Sequence, residues 1–405
     1  MRIKAFRSVC SKFGTILSVA IVITASLFFV IAGSANADNP PYTNWTEYPA
    51  NPVFDPAERV YYPSILFDGV TYRLWYDDGT TTRYTTSTDG INWAAGTLTT
   101  GLTNARHAHV EKIGSKYMVW YWNSTQLYSI NDMRTAESTD AINWTSDSAI
   151  TQVGTTVITG NAGVDWNAGS YGPCDVFYNA GGSATIVAPV NASTVWQNKF
   201  VMYYDGTTGG VEDTGLAVSN DGKNWQGYNG GVAPVLNRGV SSAWDDGFAT
   251  FSTELNIGGT YYMWYSGGKI ISGEGIGYAQ SSDGLVWTKD VGNPFLHYTN
   301  GVPWRSVRTY TPMVIYDAAK FSGAGESVYF KMWYSGLTGA NYTMGYARIL
   351  EVPAIPTVVG GRVNPVNKAA ILAPYIGFAA GISAIIIVSW VALKRLRFVR
   401  VNNRK

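Results

Sequence analysis

Large apolar side chains recur along the middle of the chain in short blocks, not in long amphipathic runs. Five blocks share one pattern: Tyr72-Arg73-Leu74-Trp75-Tyr76, Tyr117-Met118-Val119-Trp120-Tyr121, Phe200-Val201-Met202-Tyr203-Tyr204, Tyr261-Tyr262-Met263-Trp264-Tyr265 and Phe330-Lys331-Met332-Trp333-Tyr334. Aromatic runs of this length, bounded by polar residues and glycine, predict strands. Four of them are followed by a polar turn that ends in tryptophan. The turns are Ser87-Thr88-Asp89-Gly90-Ile91-Asn92-Trp93, Ser138-Thr139-Asp140-Ala141-Ile142-Asn143-Trp144, Ser219-Asn220-Asp221-Gly222-Lys223-Asn224-Trp225 and Ser281-Ser282-Asp283-Gly284-Leu285-Val286-Trp287. Asp-Gly between strand-like runs favours a tight hairpin with positive φ. The serine and aspartate side chains are placed to cap backbone N–H groups of that turn. The tryptophan offers an apolar face to a neighbouring sheet.

Strand pairs repeated in units of roughly 45 to 80 residues, each with a tryptophan, are the mark of propeller blades. The fifth unit ends one strand short, because after Tyr342-Thr343-Met344-Gly345-Tyr346-Ala347-Arg348 no further turn motif follows. Tyr42-Thr43-Asn44-Trp45 with Asn51-Pro52-Val53-Phe54 resembles Asn224-Trp225 with Ala233-Pro234-Val235-Leu236, and Trp287 with Asn293-Pro294-Phe295-Leu296. The expected fold is therefore all-β: a five-bladed β-propeller closed by the N-terminal strand. Closure removes the free sheet edges that invite aggregation.

The two ends follow other rules. Arg2, Lys4, Arg7 and Lys12 precede an apolar run from Ile16 to Gly33, and Ser34-Ala35-Asn36-Ala37 predicts cleavage before Asp38. Residues 1–37 are expected to be a signal peptide, with an uncleaved anchor as the alternative. Residues 369–393 are almost wholly apolar and long enough to cross roughly 30 Å of hydrocarbon. Residues 394–405 are basic, which keeps them cytoplasmic. This predicts a cell-membrane protein with one C-terminal transmembrane helix, an extracellular domain at 38–350 and a Pro/Val/Gly spacer at 351–368.

Composition agrees with this outline. Aromatic and charged residues are each 14% of the chain, there are 44 glycines, and the formal net charge is +1. Charge gives no reason to expect nucleic acid. Cys174 is the only cysteine after the leader, so an intrachain disulfide is excluded; a buried small hydrophobe is favoured over a reactive thiol. Sequons at Asn44, Asn123, Asn143, Asn191 and Asn341 permit glycosylation.

In a propeller the starts of the first strands line a central funnel. On one register these are Tyr61-Tyr62-Pro63-Ser64-Ile65, Arg106-His107-Ala108-His109-Val110, Ser170-Tyr171-Gly172-Pro173-Cys174-Asp175, Thr250-Phe251-Ser252-Thr253-Glu254 and Arg308-Thr309-Tyr310-Thr311-Pro312. Pro63-Ser64-Ile65 before Asp68-Gly69 and an aromatic strand resembles the first blade of family 43 glycoside hydrolases. Ala233-Pro234-Val235-Leu236, Trp244-Asp245 and Met263-Trp264-Tyr265-Ser266-Gly267 resemble repeats of that family and its relatives, families 32 and 130. The resemblance runs from about Asn44 to Arg348 and implies a glycan or small sugar as partner.

It also implies three carboxylates, and this chain departs from each. The base aspartate would fall on Tyr62, the acid-tuning aspartate near His109 and the general-acid glutamate on Tyr171. Glycoside hydrolysis needs two carboxyl groups flanking the bond, about 5 to 9.5 Å apart. Asp175, Glu254 and Asp245 are the substitutes taken as catalytic candidates, with Glu111, Asp246 and Asp165 behind them. Asp77, Asp78 and Asp205 are read as turn residues. Arg106 and Arg308 suit a carboxylate or phosphate on a substrate. Tyr62, Tyr171, Trp166 and Tyr310 are candidates for stacking on sugar rings, the alternative being that they plug the channel. His107 and His109 share one strand face, complete the substrate-binding candidates, and have a spacing compatible with a metal. With three histidines in all, no metal is assigned, and no cofactor is expected. Three functions follow: a glycan-processing enzyme, a sugar-binding propeller without hydrolysis, or a structural surface protein.

Overall fold

The computed structural model describes residues 43–102, 104–124, 133–152, 166–269, 272–298, 302–339 and 341–350. The leader at 1–37, the spacer, the transmembrane segment at 369–393 and the basic tail lie outside the described residues. Among the described residues no helix is long and apolar enough to cross a membrane. They are all-β, with three short 3-10 turns and no α-helix.

Apart from Thr151–Gln152, which pairs in parallel with Asn224 and Trp225, the strands fall into five antiparallel groups. The first is Tyr61–Phe67, Tyr72–Asp77, Thr82–Ser87 and Thr97–Leu98; the second is Ala105–Ile113, Lys116–Asn123, Met133–Ser138 and Trp144–Ala149. The third is Gly169–Tyr178, Phe200–Thr208, Val211–Ser219 and Asn224–Gly227. The fourth is Phe248–Ile257, Thr260–Lys269 and Ser272–Ser281, with Thr288–Lys289 and Leu296–His297 both on its outer edge. One parallel bridge, Glu212 to Phe248, links the third group to the fourth. The fifth group is Arg308–Tyr316, Phe330–Thr338 and Asn341–Ile349, and its fourth strand is Thr46–Glu47 from the other end of the chain. Thr46 pairs with Arg348 and Glu47 with Ala347, as the missing strand of the fifth unit required.

Each predicted turn forms as its side chains dictate. In the first, Ser87 Oγ accepts from the N–H groups of Asp89 and Gly90, while Asp89 Oδ1 accepts from Ile91 and Asn92. The same bonds recur around Ser138–Asp140, Ser219–Asp221 and Ser281–Asp283. Burial raises the Asp89 pKa, but these donors outweigh it and hold the carboxyl down at about 2.

The core lies between successive groups, and the aromatic strands build it. Trp75 Nε1 donates to Ala141 O of the second group at 2.9 Å, and Trp120 Nε1 to Gly222 O of the third at 2.7 Å. Tyr203 Oη donates to Gly284 O of the fourth at 2.6 Å. Trp333 Nε1 of the fifth reaches Gly90 O of the first at 2.7 Å. Every donor is an aromatic from a second strand, and every acceptor sits in the hairpin turn of a neighbouring group. A buried N–H is thereby satisfied without interrupting the apolar packing around it.

Candidate functional site

All five first strands carry the same irregularity. The pairing register with the second strand slips beside Tyr62, His107, Gly172, Phe251 and Thr311. Those residues have φ of 49°, 51°, 118°, 49° and 50°. Four are not glycine, and a side chain held in this region costs about 1–3 kcal/mol, a strain that clusters at functional sites. A bulge re-aims the strand locally. The Tyr62 and His107 rings stack with centroids 3.4 Å apart, and Phe251 meets Tyr62 edge-on at 5.0 Å. Tyr61 packs against Tyr310 at 4.9 Å and Tyr342 at 4.8 Å. Together these rings form a floor across the strand starts. Beneath it a narrow space of about 30 Å³, bordered by Ser64, Thr253 and Pro312, has room for little more than a water molecule.

Above the floor is a cavity of about 220 Å³ lined by Tyr61, Tyr62, His107, Gly210, Glu212, Phe248, Phe251, Glu274, Arg308 and Tyr310. Drug-sized pockets run roughly 300–1,000 Å³, so this mouth matches a ligand of about one ring. It holds two carboxyl groups, Glu212 and Glu274, from the third strands of adjacent groups. Burial raises the Glu212 pKa well above the ordinary range, with help from the Asp205 and Glu274 charges and against the pull of Arg308. Burial also raises Glu274, which Arg308 restrains to about 7. Arg308 Nε lies 3.3 Å from Glu274 Oε1. Neighbouring carboxyls that cannot both ionise freely titrate as a pair. Both carboxyls of the mouth thus hold a proton more tightly than an exposed glutamate does.

The residues singled out from the sequence divide among several places. Tyr62, His107, Arg308 and Tyr310 line the mouth, the first two and Tyr310 being buried in its floor. Arg106 donates through Nε to Asp77 Oδ2 at 2.7 Å, and its guanidinium lies 5.8 Å from the Trp122 ring centroid. Burial lifts the Asp77 carboxyl to about 6 although Arg106 opposes it. Asp77, read from the sequence as a turn residue, ends the second strand and does accept the turn N–H of Gly79 at 2.6 Å, while Asp205, read likewise, lies within its second strand; both are buried, opposite Tyr61 and Gly172. Tyr171 belongs to the strand Gly169–Tyr178, and its side chain lies outside the described part, as does the whole of Asp165.

Asp175, Glu254 and His109 sit together on the lower part of the first strands, away from the mouth. Asp175 Oδ2 accepts from Glu254 N at 2.9 Å, and His109 Nε2 lies 3.3 Å from both Asp175 Oδ1 and Glu111 Oε1. His109, Glu111 and Asp175 offer ligand atoms within 4.8 Å of one another, a spacing that suits a cation. A larger cavity of about 430 Å³ reaches Glu111 from the far ends of the first and fifth groups. Its other carboxylate, Asp317, is occupied in capping the N–H groups of Ala319 and Phe321. Cys174 packs on the core between the third and fourth groups, where burial, reinforced by Asp205 and Glu254, pushes its thiol up.

Asp245, Asp246 and Trp166 also lie off the mouth. Asp245 accepts from Tyr265 Oη at 3.2 Å and pairs with Lys289, while Asp246 caps the N–H of Ser242 at 2.8 Å. The Trp166 ring covers Gly206 and Gly215, as Trp244 covers Gly267 and Gly277, and as Trp304 covers Gly336 and Gly345. A Cβ at any of these six glycines would come within 2.2–2.8 Å of the ring. Trp166 is thus one of three equivalent structural tryptophans, each set before a first strand.

Glu212 and Glu274 lie on third strands, outside the first-strand register. The third strands carry the signal: Glu212, Glu274 and Tyr342 each stand three residues before Gly215, Gly277 and Gly345, the glycines under those tryptophans.

No protein-family model matches the chain, and no curated protein sequence matches it. Solved structures do. A structure described as a glycoside hydrolase is similar at TM-score 0.52 and 14% identity, covering 75% of this chain and 93% of that one. A structure described as an RGII complex is similar at TM-score 0.52 and 15% identity, with coverage of 75% and 93%. The catalytic domain of the Coprinopsis cinerea GH62 alpha-L-arabinofuranosidase is similar at TM-score 0.50 and 12% identity, covering 76% and 97%. The chain has the β-propeller fold of glycoside hydrolases.

Proposed function

We propose that the protein is a cell-surface glycoside hydrolase whose reaction takes place in the mouth cavity, between Glu212 and Glu274. In this reading the five groups are blades of one closed ring, the leader carries the domain out of the cell, and residues 369–393 anchor it by a single pass. Closure is supported by the strand Thr46–Glu47 on the fifth group and by the bond from Trp333 to Gly90. Surface location is supported by the basic-then-apolar leader and the basic tail.

The observation that carries the chemistry is the pair of proton-affine carboxyls in one aromatic-floored cavity. Glu212, which keeps its proton, gives it to the glycosidic oxygen as the C–O bond breaks. Glu274, ionised, takes a proton from the water that attacks the anomeric carbon. Acid and base are restored by one proton exchange with solvent. Tyr61 and Phe248 present ring faces and edges to the apolar side of the sugar.

A second reading is sugar binding without turnover. Its support is that Tyr62, His109 and Tyr171 stand where the family resemblance implies carboxylates. A glycan array run beside a panel of chromogenic glycosides, both with the full-length chain, separates the two. Release of the chromophore, lost in Glu212→Gln, is the result expected; array binding with no release from any glycoside would leave only the second reading.

A further inference from the structure

Arg106 and Arg308 are built alike. Each faces a buried carboxylate through Nε: Arg106 donates to Asp77 at 2.7 Å, and Arg308 stands in ion-pair contact with Glu274 at 3.3 Å. Each guanidinium lies over an aromatic ring, Trp122 at 5.8 Å and Tyr310 at 5.7 Å from the centroid. The carboxylate at Nε and the ring flank each guanidinium, and its far edge is left over. Among the described residues neither arginine makes a hydrogen bond through Nη1 or Nη2. Arg106 directly precedes His107, which lines the mouth, and the charge of either arginine acts on Tyr61. Arg308 lines the mouth itself, with its side chain 38% exposed.

A planar fork with two free N–H edges is the natural partner of a planar two-oxygen anion. Neutral hydroxyls would be served as well by uncharged donors, at far lower desolvation cost. The acidic groups in the mouth do not forbid an anion. Burial favours the neutral form of Glu212, and the charges of Glu274 and Asp77 are matched by the arginines.

We propose that the mouth selects sugars bearing a carboxylate, with Arg308 gripping that group through Nη1 and Nη2. This rests on the reading of the mouth as a glycan site and names the class of glycan. A uronic acid supplies such a carboxylate; a sulfate or phosphate ester would offer the same charge with a different shape.

The test is calorimetric titration of the full-length chain with D-glucuronate, its methyl ester, D-glucose and D-glucose 6-sulfate at pH 7. Glucuronate is expected to bind at least about tenfold more tightly than glucose or the ester, which keeps the ring and loses the charge. The sulfate should fall between them. In Arg308→Gln the preference for glucuronate over glucose should fall to about twofold or less, and Arg308→Lys should recover only part of it, because an ammonium has no fork. Comparing acid with ester needs no variant, so the proposal stays testable if substitution disturbs folding. Equal affinity for glucuronate and glucose overturns the proposal and leaves the glycan site standing. A sulfate preferred to the carboxylate overturns it too. Failure of all four, together with a blank glycan array, overturns both.

Discussion

Glu274 and Arg308, 3.3 Å apart at the rim of the mouth, set how the site answers to pH. With Glu274 near 7 and acting as the base, kcat/KM should drop about tenfold per pH unit below neutrality. Glu274→Gln should remove that limb along with most of the activity, about 10²–10⁴-fold. A pH–rate profile with no inflection between pH 6 and 8 would contradict the role. A different set of carboxylates governs stability in acid. Asp89, Asp221 and Asp283 are partly buried, which raises their pKa values, yet the turn N–H groups dominate and lower them. Their folded-state pKa lies below the unfolded value, so the stabilisation is complete above about pH 4. It is lost as pH falls toward about 2, the value of Asp89. Urea melts at pH 5 and pH 2.5 should show that loss, and Asp89→Asn should blunt it. These turn aspartates were legible in the sequence because capping is local. Glu212 and Glu274 were not, since their partnership exists only once two third strands stand side by side.

The strands themselves were legible, and for a physical reason. Each unit repeats a pattern whose turn, aromatic strand and tryptophan are all specified within a few dozen residues. The hairpin-turn tryptophan was expected to make the contact between sheets, and it does: Trp93 packs on Trp333, Trp225 on Trp120 and Trp287 on Tyr203. What the pattern hid is that Trp75, Trp120, Tyr203 and Trp333 of the second strands also donate to a neighbouring turn carbonyl. Trp75→Phe keeps an aromatic ring but strands the Ala141 carbonyl, and should cost about 2 kcal/mol. Thermal unfolding of that variant checks it; an unchanged midpoint would show that the bond adds nothing. The bulges at Tyr62, His107, Phe251 and Thr311 had no sequence signal at all. Non-glycine residues there are imposed by the packing of the five strand starts on one another, which no single strand encodes.

The strand Thr46–Glu47, paired with the last strand, is also tied to the fifth group through a buried charge. Arg305, fully buried, donates to both oxygens of Glu47, at 3.1 Å through Nε and 2.7 Å through Nη2; Tyr334 also bonds to Glu47. Glu47→Ala leaves that guanidinium without its anion and should destabilise the protein by about 3–5 kcal/mol. Chemical denaturation measures it, and a change below about 0.5 kcal/mol would mean that the ion pair at Glu47 holds nothing. A leader and an anchor are expected at the chain ends on hydropathy alone, because an apolar run of about twenty residues requires no tertiary contact to be read. Chemistry is harder to read, because it depends on which side chains of distant strands share one cavity. Cleavage of glycosides in the mouth between Glu212 and Glu274 is the central proposal. Its most direct test is the appearance of reducing ends, followed by NMR, when the full-length chain meets the glycans that it binds best on an array. Steady release is expected from the natural protein and none from the Glu212→Gln, Glu274→Gln double variant that still binds. Equal release by both would place the reaction elsewhere in the molecule.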